Sequence, residues 1–184
     1  MVESKKRADA RRNEQSLLDA AAAAFVEDGV HVPVRDIAAR AGVGVGTIYR
    51  HFPTRADLVV AVYRHQVEAC AEAGPRLLRE SPTPYAALAS WIDLFVDFLV
   101  TKHGLAEALQ SDDAAFQSLH AWFLDRLVPV GDELVEAAGS RIGAFELMYA
   151  VGNLCIGADK DPRYDVRRVV GTLLEGLRPR YATP

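Results

Sequence analysis

The chain is short of cysteine, of long apolar runs, and of every local motif that supports enzyme chemistry. Only two cysteines occur in 184 residues. Cys70 and Cys155 lie far apart with no CxxC spacing, which leaves no disulfide framework or cysteine zinc site and fits a reducing cytoplasm. Apolar stretches are interrupted by charges such as Asp93 and Asp97, and none approaches the ~20 residues of a membrane-spanning helix. The N-terminus is charged and lacks an apolar h-region, so it does not read as a signal peptide. A Gly-rich phosphate loop, HExxH, GxSxG and a Cys/His pair at useful spacing are all missing, so no catalytic residue is expected. Asp93 and Asp97 are four apart, as acid–base pairs can be, but nothing nucleophilic or basic accompanies them. They read as a solvated stripe. His51 has no carboxylate or second histidine at ligand spacing, and neither metal nor cofactor is expected. Internal repeats and low-complexity segments are absent.

What is present is apolar and unevenly charged. Half the residues are hydrophobic, enough for a sizeable core. Net charge is −4, which by itself speaks against nucleic acid. The distribution answers this. Residues 1–67 hold ten Lys/Arg against eight Asp/Glu, whereas residues 68–184 hold eleven against seventeen. Asymmetry between parts is the informative quantity, and only the first part has reason to approach DNA.

The most informative stretch runs from Val34 to Phe52. Val34, Ile37, Ala38 and Ala41 fall at helical spacing, and Gly42 follows as a helix-ending residue. A second short helix carries Ile48 and Phe52 four apart on one face. Its other face holds Val45, Gly46, Thr47, Tyr49, Arg50 and His51. A helix that buries one side and presents such a side outward suits the major groove. Asp36 stands against Arg35, Arg40, Arg50 and Arg55, the right sign for phosphate. Spacing alone leaves two surface helices of any all-α domain equally open.

The wording goes further. Val34-Arg35-Asp36-Ile37-Ala38-Ala39-Arg40-Ala41-Gly42-Val43, then Gly46-Thr47-Ile48-Tyr49-Arg50-His51-Phe52-Pro53-Thr54-Arg55-Ala56-Asp57-Leu58-Val59, closely resembles the N-terminal DNA-binding domain of the tetracycline-repressor (TetR) family. The match extends from about Asn13 to Val62, roughly a quarter of the chain. The resemblance implies an all-α protein with an N-terminal three-helix helix-turn-helix domain, residues 1–60 with a basic arm. A C-terminal helical effector-binding and dimerisation bundle follows over 61–184, about nine helices in all. DNA contacts are expected from Arg35, Gly44, Val45, Gly46, Thr47, Tyr49, Arg50, His51 and Arg55. The hydroxyls and imidazole suit phosphate oxygens, Arg50 suits guanine or phosphate, and Val45 suits a thymine methyl. By resemblance Arg35 reaches a base edge or a phosphate, and Arg55 contacts phosphate from the first turn of its helix.

The remainder reads in order. Lys5, Lys6, Arg7, Arg11 and Arg12 form a basic, disordered arm suited to phosphate or the minor groove. A first helix from about Arg11 to Glu27 buries Leu17, Leu18, Ala21, Ala24 and Phe25. Pro33 opens the second helix and Thr54 caps the fourth, which runs to about Arg79 and is kinked or divided at Gly74-Pro75. Tyr63 and His65 read as packing or surface groups. After the Ser81–Pro84 break, Thr83 caps a helix that His103-Gly104 ends. A short helix over Leu105–Gln110 follows, then one capped by Ser111-Asp112-Asp113 and kinked by Pro129. Trp91, Phe95, Phe98, Phe116, Trp122 and Phe123 form an aromatic group that is either core or, with Asn153, His103 and His120 as polar anchors, a small-molecule pocket. The penultimate helix spans Phe145 to Ile156, with Gly152 and Gly157 permitting close approach, and Asp161-Pro162 start the last. Both are apolar on two faces, and by resemblance they pair with a second copy as a four-helix bundle. The reading is thus a cytoplasmic, homodimeric repressor on a palindromic operator, released by an unidentified effector. A dimeric DNA-binding module without an effector stands as the alternative.

Overall fold

The computed structural model describes residues 2–108, 113–156, 161 and 163–178, with side chains from residue 12 onward except 100, 101, 103–108 and 113–116. All regular structure among these residues is helical: α1 Val2–Asp28, α2 Val34–Ala41, α3 Val45–His51, α4 Arg55–Glu80, α5 Pro84–Ala108, α6 Asp113–Ala137, α7 Ala144–Cys155 and α8 Val166–Gly176. That is one helix fewer than the sequence suggested. α5 runs through His103-Gly104, so the expected short helix from Leu105 is its tail. A glycine costs only ~1 kcal/mol in a helix, and the Leu, Ala and Glu that follow are good helix formers. Ser111 and Asp112, the expected cap, lie outside the described residues, as does Gly157.

Other boundaries move for similar reasons. α1 begins at Val2, not near Arg11, because no glycine or proline interrupts residues 2–28 and alanine is abundant. The expected arm is therefore helical, and the side chains of Lys5, Lys6, Arg7 and Arg11 lie outside the described residues. α4 is continuous through Gly74-Pro75, and α6 through Pro129. α8 starts later than Asp161: Asp165 is its N-cap, accepting from the Arg168 N–H at 3.0 Å, while Asp161 pairs with Arg163. The Thr54 and Thr83 caps are in place. Thr54 and Asp57 bond reciprocally at 2.7–3.1 Å, and Thr83 Oγ1 accepts from the Ala86 N–H at 3.1 Å.

The chain divides into two compact units. One comprises Met1–Gln66 with Val100–Phe116, the other Val67–Leu99 with Gln117–Pro184. In the first, Phe25 of α1, Ile37 of α2, Ile48 of α3 and Leu58 of α4 are all essentially inaccessible to solvent. Each such side chain stabilises the unit by about 1.5–3 kcal/mol. The turn after α2 is a Schellman closure: Gly42 takes φ +66° and the Val43 N–H donates to the Ala38 carbonyl at 3.0 Å.

The second unit is built around aromatic rings. Trp91, Phe95 and Phe98 of α5 and Phe123 of α6 are each at most 2% exposed. Trp91 lies parallel to Phe95 at 6.0 Å, and Phe123 faces Phe95 at 6.2 Å and Phe98 at 5.4 Å. The Trp91 indole N–H donates to the Cys70 carbonyl at 2.9 Å, so the one polar atom of the ring is satisfied inside the core. Two glycines allow close approach. A Cβ on Gly74 would lie 2.2 Å from Val130 Cγ1, and one on Gly131 would lie 2.7 Å from Ala144 Cβ. Arg167 of α8 pairs with Asp97 and, at 3.5 Å, with Asp93 of α5. The two aspartates are thus ion-pair partners across helices.

Candidate nucleic-acid interface

α3 is seven residues long and divides its surface cleanly. Ile48 is buried and Phe52, directly after the helix, is buried with it. Gly44, Val45, Gly46, Tyr49, Arg50 and His51 are exposed and Thr47 is half-buried. Nothing lies within 4 Å of where a Cβ on Gly44 or Gly46 would stand, so the backbone of the first turn is bare to solvent. Such a surface lets the main chain come close to a phosphate or base edge, with Val45 as its one apolar contact.

The arginines expected at this surface are not alike. Arg35 of α2 is 80% exposed in its side chain, and among the described residues its ion-pair partner is its neighbour Asp36, at 3.4 Å. An exposed contact of this kind contributes little and yields readily to a stronger anion. Arg50 is exposed, and no described acidic residue pairs with it. Arg40 is turned the other way. Its guanidinium reaches Glu27 at 2.5 Å and Asp28 at 2.9 Å in the last turn of α1, and the hydrogen bond to Glu27 raises its pKa. Arg55 is half-buried at the start of α4. One guanidinium nitrogen, Nη2, donates to the carbonyl of Val30 and, at 2.8 Å, to that of Val32. Burial pushes its pKa down. The Asp19–His65 contact at 2.6 Å, tying α1 to α4, was not visible in the sequence because its partners are 46 residues apart.

The expected pocket residues also separate. Trp91, Phe95, Phe98 and Phe123 come together as described; Trp122 is half-buried. The Phe116 and His103 side chains lie outside the described residues. Asn153 does not join the group. Buried positions Ala144, Leu147, Met148, Val151 and Cys155 set the inner face of α7, and Asn153 falls on the opposite, exposed face with Phe145, Tyr149 and Ile156. Phe145 and Tyr149 stack at 6.2 Å on that outer face, and Tyr149 and Ile156 are each 67% exposed. Val166, Val169, Leu173 and Leu177 make a matching half-buried stripe on α8, which packs against α7. Among the described residues no three His, Cys, Asp or Glu side chains are placed to hold a metal ion, and no helix is long and apolar enough to cross a membrane.

Comparison with known proteins gives this arrangement a family. The profile of bacterial regulatory proteins of the tetR family matches residues 17–62. A TetR transcriptional regulator from Streptomyces coelicolor shares 32% identity, with a TM-score of 0.72, over 89% of this chain and 97% of that one. The TetR-like regulator LfrR from Mycobacterium smegmatis, in complex with proflavine, has the same fold, with a TM-score of 0.61 and 24% identity over 94% of this chain and 99% of that one. An HTH-type transcriptional regulator of Staphylococcus aureus (strain USA300) is 24% identical over 122 residues, 66% of either chain, so the match spans just under two thirds of that relative. These are transcriptional regulators and not enzymes. The match at the helix-turn-helix, the full-length likeness to the Streptomyces protein and the bare outer face of α3 agree: this chain belongs to the TetR family of DNA-binding transcriptional regulators.

Proposed function

We propose that the protein is a cytoplasmic homodimeric repressor that leaves a palindromic operator when a small molecule binds its C-terminal part. The observation that carries the reading is the division of α3, with Ile48 and Phe52 inward and Val45, Gly46, Thr47, Tyr49, Arg50 and His51 outward. Gly44, Arg35 and Arg50 complete the surface offered to DNA. A two-fold dimer sets two such helices in successive major grooves, about one helical turn apart. The outer faces of α7 and α8 supply the self-complementary patch, and a standard interface buries roughly 1,600 Å². In this reading residues 1–60 act as the head and residues 61–184 as the sensing and pairing part.

Effector and DNA then oppose each other with a coupling of about 1–3 kcal/mol, because each favours a different spacing of the heads. That LfrR holds proflavine supports a small-molecule site in this fold. Selection of duplexes from a random pool, followed by gel shifts with and without candidate effectors, tests the reading. Salt-sensitive binding to a palindrome, weakened by at least one effector, is expected. Absence of any sequence-preferring binding overturns it. A second reading, a DNA-binding dimer without effector, is favoured by the mutual stacking of Trp91, Phe95, Phe98 and Phe123, each at most 2% exposed. A ligand that enters among those rings has to separate them. A cavity opened there in a liganded crystal would decide for the sensor.

A further inference from the structure

The four arginines around the recognition helix divide into Arg35 and Arg50, which tie no described elements together, and Arg40 and Arg55, which do. Arg40 is neutralised by Glu27 and Asp28, which leaves it little attraction for phosphate. Arg55 is the sharper case, because its partners are backbone carbonyls.

The turn between α1 and α2 explains them. Gly29, at φ +78°, reverses the chain, and the Val32 N–H donates back to the Gly29 carbonyl at 3.2 Å. Pro33 brings no N–H. In the first turn of α2 the Asp36 and Ile37 N–H groups both bond the Pro33 carbonyl, at 2.9 and 3.3 Å. Among the described residues the carbonyls of Val30 and Val32 receive no backbone donor, while their side chains are buried in the core of the unit. Carbonyls in such a setting require partners. Arg55 provides both from one nitrogen. Asp57, the acid nearest in sequence, is held by Thr54 and does not compete for the guanidinium.

We propose that Arg55 is a positioning residue, with Arg40 as its counterpart. Arg55 ties the turn before α2 to the first turn of α4; Arg40 ties the last turn of α2 to α1. Together they fix the angle at which α2 presents Arg35 and supports α3. Neither grips a phosphate, so counterion release by the head falls to Arg35, Arg50 and the basic residues of α1.

The inference rests on α3 being the groove-reading element, and the test keeps the two separable. Wild-type protein, R55Q, R55K and R50Q are measured on a duplex selected by the wild type and on a scrambled duplex, across a potassium chloride series. Thermal melts run alongside. R55Q is expected to lose about tenfold in affinity for the selected duplex and less than twofold for the scrambled one. Its slope of log affinity against log salt should match wild type, whereas R50Q should lower that slope by about 0.9. R55K, which keeps the charge but not the planar fork, should recover less than half of the loss. If R55Q lowers the slope by about 0.9 and R55K restores both slope and affinity, Arg55 holds a phosphate and the inference fails. Equal losses on both duplexes with a depressed melt overturn it too, because Arg55 would then only stabilise the unit. If wild type prefers no duplex, the assignment of α3 fails first and the inference falls with it.

Discussion

The two units leave different things bare. The first buries most of its apolar side chains, holds Arg40 and Arg55 in internal ties, and leaves a helix face with Arg50, His51 and glycine backbone exposed beside Val45 and Tyr49. The second pairs Arg167 of α8 with Asp93 and Asp97 of α5 and leaves apolar side chains out: Phe145 and Tyr149 on α7 and Ile156 directly after it. The difference is chemical. A bare cationic face fits a polyanion, whereas a bare aromatic face fits another apolar surface. The same comparison explains why net charge misleads for this chain. Its excess acid lies in residues 68–184, outside the stretch of sequence that forms α3.

Three substitutions and one labelling experiment test that contrast, beginning with the largest effect. Phe98→Ala removes a fully buried ring from the stack and should cost about 3–5 kcal/mol of stability, seen as a lowered thermal midpoint. The head should keep whatever DNA preference it has in the protein that remains folded. If the midpoint does not move, the stack is not the core of its unit. Gly131→Val should cost about 1–3 kcal/mol, because its first added atom already stands 2.7 Å from Ala144 Cβ. A denaturant titration measures this, and an unchanged midpoint would show that α6 and α7 yield easily at that point.

Arg50→Ala probes the other unit and should do the opposite. It should leave the thermal midpoint unchanged, within about 0.5 kcal/mol, because the side chain is exposed and pairs with no described acidic residue. Affinity for a selected duplex should fall by about 1–3 kcal/mol with relaxed preference at one base pair. A loss of stability in place of affinity would reverse the roles assigned to the two units.

The smallest effect concerns Cys70. Burial, and to a lesser extent the charge of Asp97, push its thiol up to about 12 from an ordinary 9.0. The folded chain therefore keeps the proton where an unfolded chain releases it. Stability contributed by the neutral thiol is intact below pH 9 and falls as pH rises from there toward 12. Native protein at pH 8 should resist iodoacetamide at Cys70, and denatured protein should not. Rapid native labelling of Cys70 would show that this part of the core opens readily.

Much of this was legible in the sequence, because the determinants are local. Ile48 and Phe52 four apart set the phase of α3; Gly42, Thr54 and Thr83 mark helix ends through their own backbone or hydroxyl chemistry. What could not be read depends on distant groups. The Arg55 partners are carbonyls 23 and 25 residues away, which leave no trace in residue identity. Arg40 looked like a surface cation because Glu27 and Asp28 belong to the preceding helix. Gly104 looked like a break, Gly74-Pro75 like a kink or division and Pro129 like a kink, since local propensity is all a sequence displays; in the fold the helix continues through each position. Asn153 was misplaced for a related reason. α7 is apolar on two sides, and composition alone does not say which side is inward.

The setting of Trp91 has a practical consequence. The chain has two tryptophans, and they differ in environment. Trp91 is enclosed against Phe95 with its indole N–H held by a carbonyl, whereas Trp122 is half-buried. Emission from Trp91 should lie toward the blue and be shielded from iodide, and emission from Trp122 should be quenched first. Anything that parts the aromatic stack changes the first signal without labelling, so the molecule carries its own optical gauge of the C-terminal core.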